Sequence, residues 1–350
     1  MYFVHPQFKN FSLKPFLKGF SEIEFKNRLS KAFPDYNIVF TDSGRSALNL
    51  AIRFLNLQNS EMLVPAYICD VPLPIFEKYR IKPIYLDVDL KTFHSSLSGI
   101  ESKISPETNS ILICHTYGLP VNMDKILEIA EKHNLKIIED CAHIAPPTSP
   151  EKYGDALFFS FNKLFPVING GMLVIKKPIK IVLPKYKSSL FNIVKFLRLY
   201  PILAGMTELF RGFKEESKRN QEEIKGASKG CLKIVNCCLD NFKANLNQRI
   251  NLAKYFQEKL KKIGFEVQKS ENNTFTYLSA LVPQNINRDE LFNKLRKKGI
   301  FCSRIWQKPI YLNLPSTREA AKRIINFPLQ NWFTQKDINR IISGILSSMD

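Results

Sequence analysis

The chain lacks any hydrophobic run long enough to cross a bilayer. Nowhere does it reach the roughly 18 consecutive uncharged apolar residues that a spanning helix needs. Its opening, MYFVHPQFKNF, has no basic start followed by an apolar stretch of the kind that directs export. The expectation is a cytoplasmic protein. The seven cysteines are an odd number, scattered and without a C-x-x-C pair, which argues against a disulfide framework. The five histidines stand at isolated positions with none of the usual zinc spacings, so no metal site is indicated. There is no internal repeat and no low-complexity tract. Acidic residues are in the minority, 32 against 51 basic ones, a formal charge of +19. Such a balance could attract nucleic acid, an anionic membrane or phosphorylated small molecules. The basic residues are dispersed and no nucleic-acid motif accompanies them, so the reading is a lysine-rich solvated surface.

What is present is a core. At 350 residues and 45% hydrophobic content, the chain can bury one large core and a second, smaller one. From about residue 38 short apolar runs alternate with amphipathic segments: NIVF, SALNLAIRFLNL, MLVPAY, PIFEKYR and KPIYLDVD, then SILICHTY, MDKILEIAEKHN, LKIIEDCAH, DALFFSF and GMLVIKK. Unalternated strands such as ILIC and KIIE, separated by helical segments, predict an α/β fold with a mainly parallel sheet covered on both faces. Beyond residue 180 the pattern turns to long helical stretches, a weaker strand pair near FEVQ and FTYLSALVP, the helix DELFNKLRKKG and a last helix from Thr334. The expected division is a large α/β domain over 1–180, a helical connecting region over 181–245 and a smaller α+β domain over 246–350. Within the connecting region, the segment 188–226 has a broad apolar face broken by Asn192, Lys195 and Arg198 at helical spacing. It reads as packing against the large domain or a partner subunit. A weak peripheral contact with a membrane is the other reading.

Four motifs carry chemistry: TDSGRSAL at 41–48, HTYG at 115–118, IIEDCAH at 137–143 and SFNKLFPVINGGM at 160–172. Asp140 closes an apolar strand, where side chains of an α/β sheet reach the crevice at the carboxyl end. Read alone, it could equally end a strand and cap a helix. Lys163 follows FFSF and precedes Gly170 and Gly171, where backbone can approach closely. Among so many basic residues a lone lysine is ordinarily a surface charge. In the first motif, Gly44, Arg45 and Ser46 open a helix and can offer backbone N–H groups to a phosphate, while Asp42 or Ser43 would serve an ordinary cap. Ser160-Phe161-Asn162-Lys163 also satisfies the S-x-x-K nucleophile pattern of serine β-lactamases and penicillin-binding proteins. The companion S-D-N and K-T-G elements are missing, which argues against that class.

In their order and spacing these motifs resemble the DegT/DnrJ/EryC1/StrS family of sugar aminotransferases, and the resemblance extends through RDELFNKLRKKGIFCSRIW and RIINFPL. It implies a fold-type-I enzyme dependent on pyridoxal 5′-phosphate. Such chemistry needs a lysine that holds the cofactor as an imine, a carboxylate that keeps the pyridine nitrogen protonated, and a phosphate cradle. The resemblance assigns these roles to Lys163, to Asp140, and to Gly44, Arg45, Ser46 and Ser160. It places His143 where relatives often have a glutamine on the cofactor's ring oxygen, and Cys69 where many have an aromatic ring stacked on the cofactor. A thiol cannot stack in that way, and His115 and Tyr117 are candidate substitutes. Two features depart from the family pattern: two residues are missing between the Ser-Phe pair and Lys163, and ASKG at 227–230 is only a loose stand-in for the asparagine motif that reaches the phosphate from a partner subunit. The activity implied is transfer of an amino group, from a donor such as glutamate, to a keto group of a nucleotide-linked deoxysugar for surface polysaccharide synthesis, by a homodimer. A related sugar dehydratase would lack the lysine. The non-enzymatic alternative is a degenerate fold used for binding or at a membrane surface.

Overall fold

The computed structural model describes residues 19–146, 152–187 and 223–349. The segment 188–226 therefore lies almost wholly outside the described residues. Among those described, no helix is long and apolar enough to cross a membrane.

A seven-stranded sheet organises the first part of the chain. Its strands are β1 (Asn37–Thr41), β2 (Glu61–Pro65), β3 (Lys82–Leu86), β4 (Thr108–Cys114), β5 (Lys136–Asp140), β6 (Ala156–Ser160) and β7 (Gly171–Ile175). The spatial order is β1-β7-β6-β5-β4-β2-β3. Strands β3, β2, β4, β5 and β6 run parallel, and β7 is antiparallel to both β6 and β1. The mainly parallel sheet predicted from the unalternated strands is present. Strands β2 and β7 are buried at every position, as expected where helices cover both faces.

The helices that cover it follow from local sequence. Helix α1 (Glu22–Ser30) starts at Ser21, whose hydroxyl accepts the Glu24 N–H. Helix α2 (Gly44–Phe54) starts at Ser43 in the same way and buries Ala47, Leu48, Leu50, Ala51 and Ile52 against β6 and β7. Helix α3 (Leu73–Tyr79) ends at Arg80 in the left-handed conformation. Helix α4 (Asp124–Lys132) places Asp124 in its first turn and Lys132 in its last, matching the helix dipole, and buries Ile126 and Ala130.

The second core lies after residue 240. Helix α5 (Lys229–Asp240) still packs on the first core through Cys231, Leu232 and Val235. Helix α6 (Phe242–Lys262) carries the chain over to the second, where Ala253, Phe256 and Leu260 are buried. They meet helices α7 (Arg288–Lys297) and α9 (Gln335–Met349) and the three-stranded antiparallel sheet β10-β9-β8. Those strands are β8 (Glu266–Val267), β9 (Leu278–Leu281) and β10 (Ile324–Phe327), and α8 (Pro315–Arg323) leads directly into β10. The expected strand pair is there, although β8 has only two residues; β10 is an element the pattern did not single out.

Two glycines position the crevice at the end of the large sheet. Gly170 has φ +107, a conformation side chains rarely adopt. Gly171 begins β7 against the turn that opens α2: a Cβ there would lie 2.5 Å from the Ser43 carbonyl carbon. Gly171→Ala must push that turn off the strand, at a cost of about 1–3 kcal/mol typical of overpacking. The expected outcome is a lower urea midpoint at unchanged slope; an unaltered midpoint would show that the turn is not held there.

Candidate active site

Asp140 is the last residue of β5, 8% exposed, and one of its oxygens accepts the Ala142 N–H at 2.9 Å. Burial pushes its pKa up to about 6, opposed by the Ala142 N–H, then by His115 and by the nearby Lys163 ammonium. Lys163 ends the short 3-10 turn Phe161–Lys163 that follows β6 directly, and its side chain is exposed at the crevice. The missing two residues thus shorten this connection to a single tight turn. Cys69, on the loop after β2, belongs to the same site: burial first, then the Asp140 carboxylate, raises its thiol to about 11, so it stands there as a neutral thiol.

His143 lies three residues beyond Asp140 and is buried. Its pKa falls to about 3, first through burial and then through the Lys163 ammonium. The Tyr117 N–H donates to its Nδ1 at 3.1 Å, which leaves the ring proton on Nε2. Asp140, Lys163, Cys69 and His143 therefore form one electrostatic neighbourhood.

A candidate anion cradle adjoins it. A Cβ on Gly44 would lie 3.1 Å from the Ser160 Cβ, so the end of β6 and the start of α2 approach as closely as a glycine permits. The Ser160 hydroxyl sits at this helix N-terminus and donates to the Asn162 side chain at 2.9 Å. Arg45 has its Nε buried with no hydrogen-bond partner. An orphaned buried donor, a helix N-terminus and a close-approach glycine together fit an anion. Ser46 requires a correction. Its N–H is taken by the Ser43 cap at 3.2 Å and its hydroxyl donates to Asp42 at 2.5 Å. The cap uses the donor that Ser46 was expected to offer, and Gly44 and Arg45 keep theirs.

His115 is also corrected. Its Nε2 contacts Glu139 at 2.9 Å and its Nδ1 accepts the Val121 N–H at 3.0 Å, with both side chains fully buried. Glu139 precedes Asp140 on β5, and successive strand residues face opposite sides. His115 follows it away from the crevice and cannot replace a stacking ring. This pair, with Cys141, is the group of potential metal-ligating side chains found among the described residues; its hydrogen bonds are internal, since Glu139 also accepts the Gly154 N–H. Tyr117 is fully buried with φ +60. It joins the site as a packing ring and donates its hydroxyl to the Ile305 carbonyl at 2.9 Å. ASKG is the start of α5, where the Ser228 hydroxyl caps the Cys231 N–H.

Sequence reading passed over an aromatic wall contributed by Tyr277 and Trp306, which pack with Tyr67, Phe93 and Tyr117. Trp306 stacks on Tyr117 and His143 at centroid distances of 5.1 and 5.2 Å, and Tyr277 meets His143 edge-on at 5.2 Å. Tyr67 lies perpendicular to Trp306 at 5.6 Å. The chain around Trp306 is strapped to the loop that carries Cys69: Ile310 N–H donates to Ile68 O at 2.8 Å, and Tyr311 stacks on Tyr85 at 4.3 Å. The available signal was the cluster of tyrosines and a tryptophan on segments bounding the crevice.

Comparison with known proteins identifies the family and the fold. The model of the DegT/DnrJ/EryC1/StrS aminotransferase family matches residues 13–182 and 231–346. The chain belongs to this family. It is 27% identical over 335 residues to a dTDP-4-amino-4,6-dideoxy-D-glucose transaminase of Shigella dysenteriae, covering 87% of this chain and 83% of that one. Its fold matches PseC of Helicobacter pylori, an aminotransferase involved in the biosynthesis of pseudoaminic acid, with a TM-score of 0.76 at 14% identity over 99% of both chains. It also matches NtdA of Bacillus subtilis, solved with bound cofactor PMP, with a TM-score of 0.71 at 20% identity over 95% of this chain and 78% of that one. The family member's large sheet and smaller second core are thus those of the fold-type-I aminotransferases.

The raised pKa of Asp140 has a consequence for stability. A carboxyl titrating near 6 in the folded chain and at its ordinary value when unfolded costs stability once ionised. The cost is absent below about pH 4 and complete above about pH 6, and reaches about 3 kcal/mol at most. Asp140→Asn removes it. Without cofactor, the variant should unfold at a higher denaturant concentration than wild type at pH 8, with the gap closing by pH 4. A gap of the same size at both pH values would refute the buried charge.

Proposed function

We propose that the protein is a pyridoxal 5′-phosphate-dependent aminotransferase acting on a keto group of a nucleotide-linked deoxysugar, with an amino acid such as glutamate as donor. The juxtaposition that carries the reading is Asp140 and Lys163 on adjacent strand ends beside a phosphate-sized cradle. Lys163 would hold the cofactor covalently, Asp140 would face its ring nitrogen, His143 would donate Nε2–H to its ring oxygen, and Gly44, Arg45 and Ser160 would hold its phosphate. When bound, the cofactor supplies an electron sink for the carbon that gains or loses the amino group.

The residues do the rest. The Asp140 carboxylate is dry, so a cation opposite it is bound more strongly than it would be in water. Lys163 is exposed towards the crevice and, once free, can carry a proton between donor carbon and acceptor. Neutral His143 donates without adding a positive charge. The aromatic wall of Tyr117, Tyr277 and Trp306 excludes water from one side. The dispersed basic surface would favour an anionic diphosphate substrate.

The supporting relatives act on dTDP-linked and UDP-linked sugars, which favours a nucleotide-sugar acceptor here. We further read the protein as cytoplasmic, as a homodimer serving polysaccharide or glycoconjugate synthesis, and as three parts over 1–180, 181–245 and 246–350. The separate cores before and after helix α6 support that division.

Purified protein mixed with pyridoxal phosphate should show a visible absorption band that glutamate bleaches. Lys163→Ala should lose the band and at least about 100-fold in turnover, the scale of a lost proton-transfer group. A band of equal size in Lys163→Ala, or none in the wild type, would overturn the assignment.

A further inference from the structure

Three rings at the crevice are nearly parallel: Tyr117 to His143 at 15°, Tyr117 to Trp306 at 26° and His143 to Trp306 at 28°. Tyr117 and His143 come from the large sheet, whereas Trp306 comes from the far side of the domain seam. The indole is half-buried, and its backbone has φ +63, a left-handed conformation that strains a bulky residue.

Such a conformation persists only where its surroundings hold it. Here Ile305 N–H donates to the Asn326 side chain at 2.7 Å, and Asn326 is itself fixed to Ser279 at 2.8 Å inside the second sheet. Ile305 O accepts the Tyr117 hydroxyl, and Ile310 N–H reaches the loop bearing Cys69. Braces on either side of Trp306 thus run to the second sheet and to the crevice. The loop position where Cys69 stands provides no ring. We propose that Trp306 is a positioning residue: stacked on His143 from across the seam, it holds the imidazole with Nε2–H turned to the cofactor's ring oxygen and keeps water off the ring.

This inference rests on the aminotransferase reading for its cofactor half only. The imidazole has one nitrogen committed to the Tyr117 N–H, so any tilt of the ring moves its donor as well. The groups that face it are few. Lys163 contributes a cation from the turn after β6, Tyr117 and Tyr277 contribute hydroxyl-bearing rings from the 116–118 turn and the segment before β9, and Thr276 donates to its backbone carbonyl. Arg304, on the same strap as Trp306, turns away to Asp289. Removing the indole opens the imidazole to water without removing a charge, so its pKa should rise towards the ordinary histidine range, still opposed by the Tyr117 N–H on Nδ1 and by Lys163.

The test has two arms. In cofactor-free protein labelled at histidine, with the His143 resonance assigned by its absence from His143→Gln, wild type should show no titration between pH 5 and 8. Trp306→Ala should bring a titration into that range, and Trp306→Phe should return to silence. Trp306→Leu, which keeps bulk but has no aromatic plane, serves if the alanine variant does not fold. With pyridoxal phosphate bound, the position of the visible band should be constant over that pH range in wild type and shift with the same midpoint in Trp306→Ala. It should be constant again in the double variant Trp306→Ala/His143→Gln. A His143 as silent in the alanine or leucine variant as in wild type, beside a normal band, overturns the proposal alone. A wild type without any band removes the aminotransferase reading and the cofactor half with it, and the first arm still decides whether Trp306 governs the imidazole.

Discussion

A carboxylate held out of water at the end of a buried strand needs a cation, and much of this molecule is arranged around that need. Asp140 sits where β5 stops, and its carboxylate accepts the Ala142 N–H. Desolvation alone would leave it protonated well above the usual carboxylate range. The Ala142 N–H first, then His115 and the Lys163 ammonium on the next strand's exit, bring ionisation back to about pH 6. The parallel pairing of β5 with β6 puts both exits at the same edge of the sheet. The antiparallel return of β7 then brings Gly171 under the start of α2, beside the charged pair.

The chain-local parts of this arrangement were legible in sequence. Unalternated apolar strands between amphipathic helices specify a covered parallel sheet, so Asp140 and Lys163 could be placed at strand ends, and the glycine pair at a close approach, before any coordinates. Ser43 as the α2 cap was likewise one of two readings of TDSG. Legibility ended where a side chain's direction depends on a turn. His115 follows β4 into a turn whose next residue but one, Tyr117, has φ +60, and that turn, with the Glu139 carboxylate on the opposite face, draws the imidazole away from the crevice. Ser46 was misread for a related reason: a capping serine and a ligand-binding turn need the same N–H, and only the geometry shows which has it.

The parts that could not be read come from far away in the chain. Trp306 and Tyr277 reach His143 from across more than a hundred residues, and nothing in their local pattern distinguishes them from ordinary core aromatics. What marks Trp306 is a backbone conformation that no propensity scale anticipates for tryptophan, imposed by Asn326 on one side and by the loop of Cys69 on the other. The replacement of an aromatic ring by Cys69 is visible in sequence as a loss; its counterpart is visible only in three dimensions.

The same burial acts in opposite directions on the two ionisable groups beside Lys163. It raises Asp140 to about 6 and lowers His143 to about 3, so at neutral pH the first is an anion and the second a neutral donor. An incoming ring with a protonated nitrogen on one side and an oxygen on the other would meet each with the complementary group, and would add no uncompensated charge to a dry site. Its phosphate would meet the start of α2, where the buried Arg45 Nε lacks a partner. Had His143 been held as an imidazolium, two cations would stand against one carboxylate and the site would repel the protonated nitrogen it has to bind. Keeping that histidine neutral is therefore a condition for Asp140 to act, and the tyrosine amide on its Nδ1 together with the rings that cover it is what meets the condition.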